Sequence, residues 1–198
     1  MANKEGKPLA LSSMRKSLFI TDFDGTLLTD EKRIASKDLA TLSRLRQNNT
    51  ITAIATGRSL YSFQRALKQI DLGENELPVD YLIFSTGAGI MSLQEGRLIR
   101  SYSILAGDIR KIMACFDSNK WDYMVHKAIP DTRYFLYKSH GRENRDFQKR
   151  IELYRGFSTP LNNGQILYDS ATQVLAIVPG KVSLSRMAAI RANLVDYS

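Results

Sequence analysis

Three short apolar runs, separated by two helix-length stripes, constrain this chain more than any other feature. Ser17-Leu-Phe-Ile-Thr-Asp-Phe-Asp24 stops at Gly25, Thr50-Ile-Thr-Ala-Ile-Ala-Thr56 stops at Gly57, and Tyr81-Leu-Ile-Phe-Ser85 is the third. Runs this apolar and this short read as strands buried on both faces. Between them, Leu39, Leu42 and Leu45 fall on one stripe of a helix that Ser36 would cap. Leu60, Phe63, Leu67 and Ile70 form the stripe of a second helix, capped by Ser59. Strand, helix, strand, helix, strand with short connections predicts an α/β fold built on a parallel sheet with right-handed crossovers.

The pattern changes after Thr86. Gly89 to Ile99 alternates around Glu95-Gly96 and reads as a hairpin. From Ser103 onward a helix carrying Ile109, Ile112, Met113 and Phe116 precedes two strand-like pieces, Trp121–Val125 and Arg133–Tyr137. A charged helix over about 142–154, a strand at Gln173–Val178 and a helix from Ser183 to Leu194 follow. That order predicts an α+β module with an antiparallel sheet. The expected organisation is a flexible extension over 1–13, a parallel-sheet domain over 14–102 and an α+β domain over 103–198.

Composition removes several alternatives. Of the 198 residues, 43% are apolar and 24% charged, the balance of a globular chain rather than a disordered one. No apolar stretch approaches the ~18–20 residues of a membrane span, so no membrane partner is expected. Leu9, Ala10 and Leu11 are too few for a secretory signal, and the cytoplasm is the expected location. The single cysteine, Cys115, excludes an intramolecular disulfide framework and a Cys-based zinc site. The net charge of +8 raises nucleic acid as a partner. The densest basic run, Lys138 to Arg155, is diluted by Glu143, Asp146 and Glu152 and reads first as a solvated helix face. Attraction of anionic substrates ranks next and nucleic acid third. Neither a Walker-type phosphate loop nor a dinucleotide fingerprint occurs.

The chemistry concentrates in Asp22-Phe23-Asp24-Gly25-Thr26-Leu27-Leu28. Residues i and i+2 of a strand face the same way, so Asp22 and Asp24 would project together while Phe23 turns inward. The carboxyl end of a strand in an open parallel sheet is where ligands bind. Two adjacent carboxylates repel, and a hard cation such as Mg²⁺ relieves that repulsion. The second run ends Ala55-Thr56-Gly57-Arg58-Ser59, a hydroxyl and a helix start beside that tip, which together can cradle phosphate. Either signal alone has a plain structural explanation, as exposed aspartates or a helix cap. Their pairing at consecutive strand tips is the specific signal.

These two motifs resemble those of the haloacid dehalogenase-like (HAD) phosphohydrolases. The Arg after Thr-Gly, the Thr86-Gly87-Ala88 strand end and an inserted α+β cap are similar to the Cof-type, class IIB sugar-phosphatase-like branch. The resemblance implies a HAD-like core with a cap and Mg²⁺-dependent hydrolysis of a small phosphorylated metabolite, such as a sugar phosphate. It makes Asp22 the nucleophile that forms an aspartyl-phosphate and Asp24 the acid and base. It has Asp22 and the Asp24 carbonyl hold Mg²⁺, and Thr56, Arg58 and the Gly25 and Gly57 backbone hold the phosphoryl oxygens.

Two elements of that family's pattern are not found. The only Gly-Asp pair, Gly107-Asp108, has Ile112 where a second acid belongs. Lys181 in Pro179-Gly180-Lys181-Val182-Ser183-Leu184 lies three residues before the position of the family lysine, which Leu184 occupies. Reading Gln173–Val178 and Ser183–Leu194 as cap elements fits better, with the chain stopping inside the cap and the core sheet left with an exposed apolar edge. A catalytically silent binding protein derived from such a phosphatase is the alternative function. His126 and His140 have no partner at metal spacing, Cys115 reads as a core filler, and Trp121, Tyr123, Tyr134, Phe135 and Tyr137 read as packing before pocket lining.

Overall fold

The computed structural model describes residues 17–162, 168–180 and 182–195. The extension over 1–13 and Lys181 lie outside the described residues.

The first layer is a five-stranded sheet in sequence order: β1 (Leu18–Asp22), β2 (Ile51–Ala55), β3 (Tyr81–Phe84), β4 (Gly89–Ser92) and β5 (Arg97–Ser101). The first three strands are parallel, and the β4–β5 hairpin continues the sheet antiparallel. Between the parallel strands run α1 (Ser36–Gln47) and α2 (Leu60–Lys68). Ser59 caps α2 as expected, its hydroxyl accepting from the Ser62 N–H at 3.2 Å. Ser36 does not cap α1. Ala35 holds the cap position without a side-chain bond, and Ser36 is already helical.

β1 also departs from expectation. It lies at the sheet margin, so Leu18, Phe19 and Ile20 are 60%, 40% and 48% exposed instead of doubly buried. It ends at Asp22, so Asp24 stands beyond the strand. There the chain folds back: the Gly25 N–H donates to the Leu28 carbonyl at 2.9 Å and the Leu28 N–H to the Phe23 carbonyl at 2.7 Å. Gly25 sits at φ +72°, a left-handed conformation in which a side chain would be strained. The reversal drives Phe23, Leu27 and Leu28 into the core beside Ile54, Phe63 and Leu82, while both aspartates stay at the surface. Burying a leucine as completely as Leu28 contributes roughly 1.5–3 kcal/mol, enough to fix the turn.

The second layer contains β6 (Ile104–Leu105), α3 (Ala106–Ser118), β7 (Asp122–Lys127), β8 (Phe135–Lys138), α4 (Arg145–Leu153), β9 (Ser158–Pro160), β10 (Ser170–Ile177) and α5 (Leu184–Val195). Its strands order as β6-β10-β7-β8-β9, antiparallel except for the parallel β8–β9 pair. The short β6 and β9 lack enough alternation to be seen in the sequence. Alternation along β7 sends Tyr123 and Val125 to a cluster with Ile109 and Phe116 of α3. Met124 goes to the opposite face with Phe147 of α4. Buried Asn144 ties α4 down. Its side-chain amide donates to Asp122 Oδ2 at 2.9 Å and the Ile177 carbonyl at 2.8 Å, and its Oδ1 accepts from the Phe147 N–H.

The two layers meet where Tyr61 of α2 packs edge-on against Phe157, with ring centres 5.2 Å apart, and again at Gly89. Ile129, from the β7–β8 connection, packs against the first core there. A methyl on Gly89 would stand 2.8 Å from Ile129 Cδ1 and closer still to the fully buried Phe84 ring.

Candidate active site

Parallel pairing brings the two sequence motifs together. Asp22 lies opposite Ala55 in the β1–β2 register, so Thr56 follows at the neighbouring strand tip. Thr56 is buried, and its N–H donates to the Ile83 carbonyl of β3 at 2.9 Å. Its hydroxyl accepts from the Arg58 N–H at 3.1 Å, which leaves the hydroxyl proton for an incoming acceptor. Asp22 is exposed, and its carboxylate meets no hydrogen-bond donor or cation among the described residues.

Asp24 is held differently. Arg58 Nε donates to Asp24 Oδ1 at 3.0 Å and to Oδ2 at 2.8 Å, and Nη2 donates to Oδ1 at 2.6 Å. The remaining Nη1 reaches the Ser62 carbonyl at 3.2 Å and hydroxyl at 3.3 Å. The guanidinium also lies 5.6 Å from the centre of the Phe23 ring. Hydrogen bonding from Arg58, reinforced by its charge and that of Lys32, holds the Asp24 carboxyl below its ordinary range, against a smaller desolvation effect. Arg58 is correspondingly harder to deprotonate, chiefly through its bonds to Asp24. Neither motif foretold this contact.

Ser85, Thr86 and Gly87 close the site from β3, at φ +51°, +57° and +90°. Three successive left-handed residues bend the chain at the strand tip, with the Thr86 N–H donating to the Thr56 carbonyl at 3.2 Å. Gly57 lies beside this bend, where an added methyl would meet Thr86 Oγ1 at 3.7 Å.

A cavity of about 300 Å³ runs from Gly57 and Arg58 to the second sheet, which contributes Met124, His126, Phe135, Thr172 and Leu175. A larger hollow of about 690 Å³ lies at the other end of the first sheet, around Thr50, Ile51 and Tyr81. That one opens at the amino ends of β2 and β3, away from both aspartates, so the smaller cavity is the relevant one. His126 Nδ1 lies 2.9 Å from the Thr132 carbonyl, which can only accept, so the proton resides on Nδ1. Burial pushes the His126 pKa down; the carbonyl bond opposes this and the charge of Arg150 adds to it.

The remaining sequence candidates separate clearly. Trp121, Tyr123 and Phe135 are buried in the second layer, as packing predicts, though Phe135 also borders the cavity. His140 pairs through Nε2 with Asp117 at 3.2 Å, away from the strand tips. Among the described residues no group of three or more His, Cys, Asp or Glu side chains could hold a metal ion. The sequence reading missed Ser85, Thr132, Arg133, Arg150 and Thr172, all of which line the cavity. Arg150 was hidden in the mixed-charge run, and the others follow no local motif.

A model of the haloacid dehalogenase-like hydrolases matches residues 19–194. The chain belongs to that family. Curated relatives include the HMP-PP phosphatase of Escherichia coli O157:H7 strain EC4115, 33% identical over an alignment of 119 residues that covers 55% of this chain and 40% of that protein. The chain thus spans about two fifths of the curated relatives it matches. Among solved structures, a haloacid dehalogenase-like hydrolase from Bacteroides thetaiotaomicron superposes with a TM-score of 0.58 at 16% identity, covering 91% of this chain and 63% of that one. BT1666 of the same organism, from a study of HAD phosphatases, gives 0.54 at 22% identity over 80% and 54%. These likenesses establish a HAD-like α/β fold. No helix among the described residues is long and apolar enough to cross a membrane.

Proposed function

We propose that this HAD-family chain carries a phosphomonoester hydrolase site for a small phosphorylated metabolite, with a core over 14–102 and a cap over 103–198. The observation that carries the reading is Asp22 beside Thr56 at adjacent parallel strand tips, in a chain of this family.

In this reading Asp22, free of other partners, attacks phosphorus and forms an aspartyl-phosphate. The Thr56 hydroxyl, Arg58 and the backbone N–H groups of Gly25 and Gly57 hold the phosphoryl oxygens. Asp24 first gives its proton to the leaving oxygen and then takes one from water. The Asp22 carboxylate and the Asp24 carbonyl are oxygen donors of the kind Mg²⁺ accepts while it keeps several waters. When bound, that ion supplies charge neutralisation to the transferring group. The work of Asp24 requires Arg58 to let it go, because three guanidinium N–H contacts hold the carboxylate in its ionised form. An arriving phosphoryl group, itself anionic, competes for the guanidinium and frees Asp24 to take up a proton from water before it passes one to the leaving oxygen.

Hydrolysis of p-nitrophenyl phosphate with Mg²⁺ tests the reading. Turnover should fall by on the order of a thousandfold or more in Asp22→Asn, since the nucleophile is lost. Full turnover in that variant would sink it. The grip of Arg58 on Asp24 favours one second reading, a binder of phosphorylated ligands that does not turn them over. Tight vanadate binding with no Mg²⁺-dependent hydrolysis distinguishes the two.

A further inference from the structure

Ser85 Oγ, Thr132 Oγ1, Arg133 Nε and Thr172 Oγ1 are buried and meet no hydrogen-bond partner among the described residues. All four residues line the one cavity between the two sheets. Burying a polar atom unpaired is costly, so four around a single hollow point to a polar occupant. Thr132 is 95% buried and belongs to the β7–β8 connection. Thr172 reaches the cavity because the β10–β7 register slips between Ala171 and Gln173, turning two consecutive residues toward it.

The charge of the lining gives the sign of the occupant. Arg58, Arg133 and Arg150 line it, with no carboxylate among the described lining residues. Arg58 is engaged by Asp24, and Arg150 meets Asp146 on its own helix at 3.3 Å. Arg133 meets no carboxylate among the described residues. Its guanidinium instead lies over the rings of Tyr61, Tyr134 and Phe157, at 5.2, 5.0 and 5.6 Å. Stacking of this kind occupies the faces of the guanidinium and leaves its N–H edge for an anion.

We propose that this cavity binds a second phosphate group on the substrate, with Arg133 as its charged contact and the Ser85, Thr132 and Thr172 hydroxyls as further donors. Three hydroxyls and a guanidinium around one hollow suit a tetrahedral head with several oxygens better than a planar carboxylate. The substrate class is then a small bisphosphorylated metabolite, one phosphate at the strand tips and the other under the second sheet. This rests on the phosphoryl-transfer reading of Asp22 and Thr56.

Calorimetric titration of the chain with glucose 1,6-bisphosphate and with glucose 6-phosphate tests it. The bisphosphate should bind at least about tenfold more tightly, the size expected of charge-assisted hydrogen bonds. Arg133→Met, which keeps an apolar stem against the rings, should abolish that preference and leave glucose 6-phosphate affinity unchanged. Thr172→Val, equal in shape, should reduce the preference severalfold and decides the matter should Arg133→Met fail to fold. Equal affinities in the natural chain, or a preference that survives both variants, overturns the second site. Glucose 6-phosphate binding unmoved by Thr56→Val would instead overturn the strand-tip reading while an Arg133-dependent preference stood. Failure of both sugars to bind overturns both.

Discussion

Arg58 grips Asp24 through three N–H···O contacts of 2.6–3.0 Å, while its own N–H donates to the Thr56 hydroxyl. One residue therefore connects the two motifs, by side chain on one side and backbone on the other. Removing its side chain while keeping the backbone should separate these roles.

In Arg58→Gln the Asp24 carboxyl should titrate higher than in the natural chain, because its strongest depressing contact is gone. Carbon-detected NMR titration of the aspartates reads this directly. The stability cost should be about 1 kcal/mol or less, since Asp24 is 45% exposed and water screens the pair. A depressed folded pKa adds stability that is complete above the unfolded value of about 3.9 and lost as pH falls below it. The variant should accordingly lose less stability than the natural chain between about pH 4 and the acid limit.

His126 predicts a second pH effect at a different place on the scale. Its folded pKa lies below the unfolded value of about 6.5, so the unfolded chain binds the proton first. Stability from this residue is complete above that value and declines as pH falls toward the folded pKa. Melting temperatures followed downward from pH 7.5 should decline in the natural chain. They should decline less in His126→Gln.

Asn144→Ala should destabilise the second layer by about 1–3 kcal/mol, because buried hydrogen-bonding groups of Asp122, Ile177 and Phe147 lose their partner at once. Urea unfolding measures this. Asn144→Asp should be costly as well, since it places a second carboxylate beside Asp122.

The exposed apolar margin predicts self-association. Leu18→Lys, at the most exposed apolar position of β1, should lower light scattering and raise the monomer fraction in gel filtration, with stability changed by about 0.5 kcal/mol or less. Unchanged scattering would mean that β1 is not the sticky edge.

The three parallel strands, the hairpin and most of the second layer were legible because their apolar periodicity is local. Asp22, Asp24 and Thr56 were legible because two motifs end on consecutive strands. The exposure of β1 was not, since a doubly apolar run carries no mark of its place in a sheet. Neither was Ser36, because helix entry here is fixed by the backbone at Ala35 and not by a hydroxyl. The cavity lining was hidden for a further reason. Ser85, Thr132, Arg133 and Thr172 are far apart in sequence and of unremarkable type, and only the packing of one sheet over the other gathers them.

That packing passes through Ile129 and the bare Cα of Gly89. A side chain at position 89 would press on Phe84 of one layer and Ile129 of the other at once, so the spacing of the two sheets over the cavity depends on that residue staying glycine.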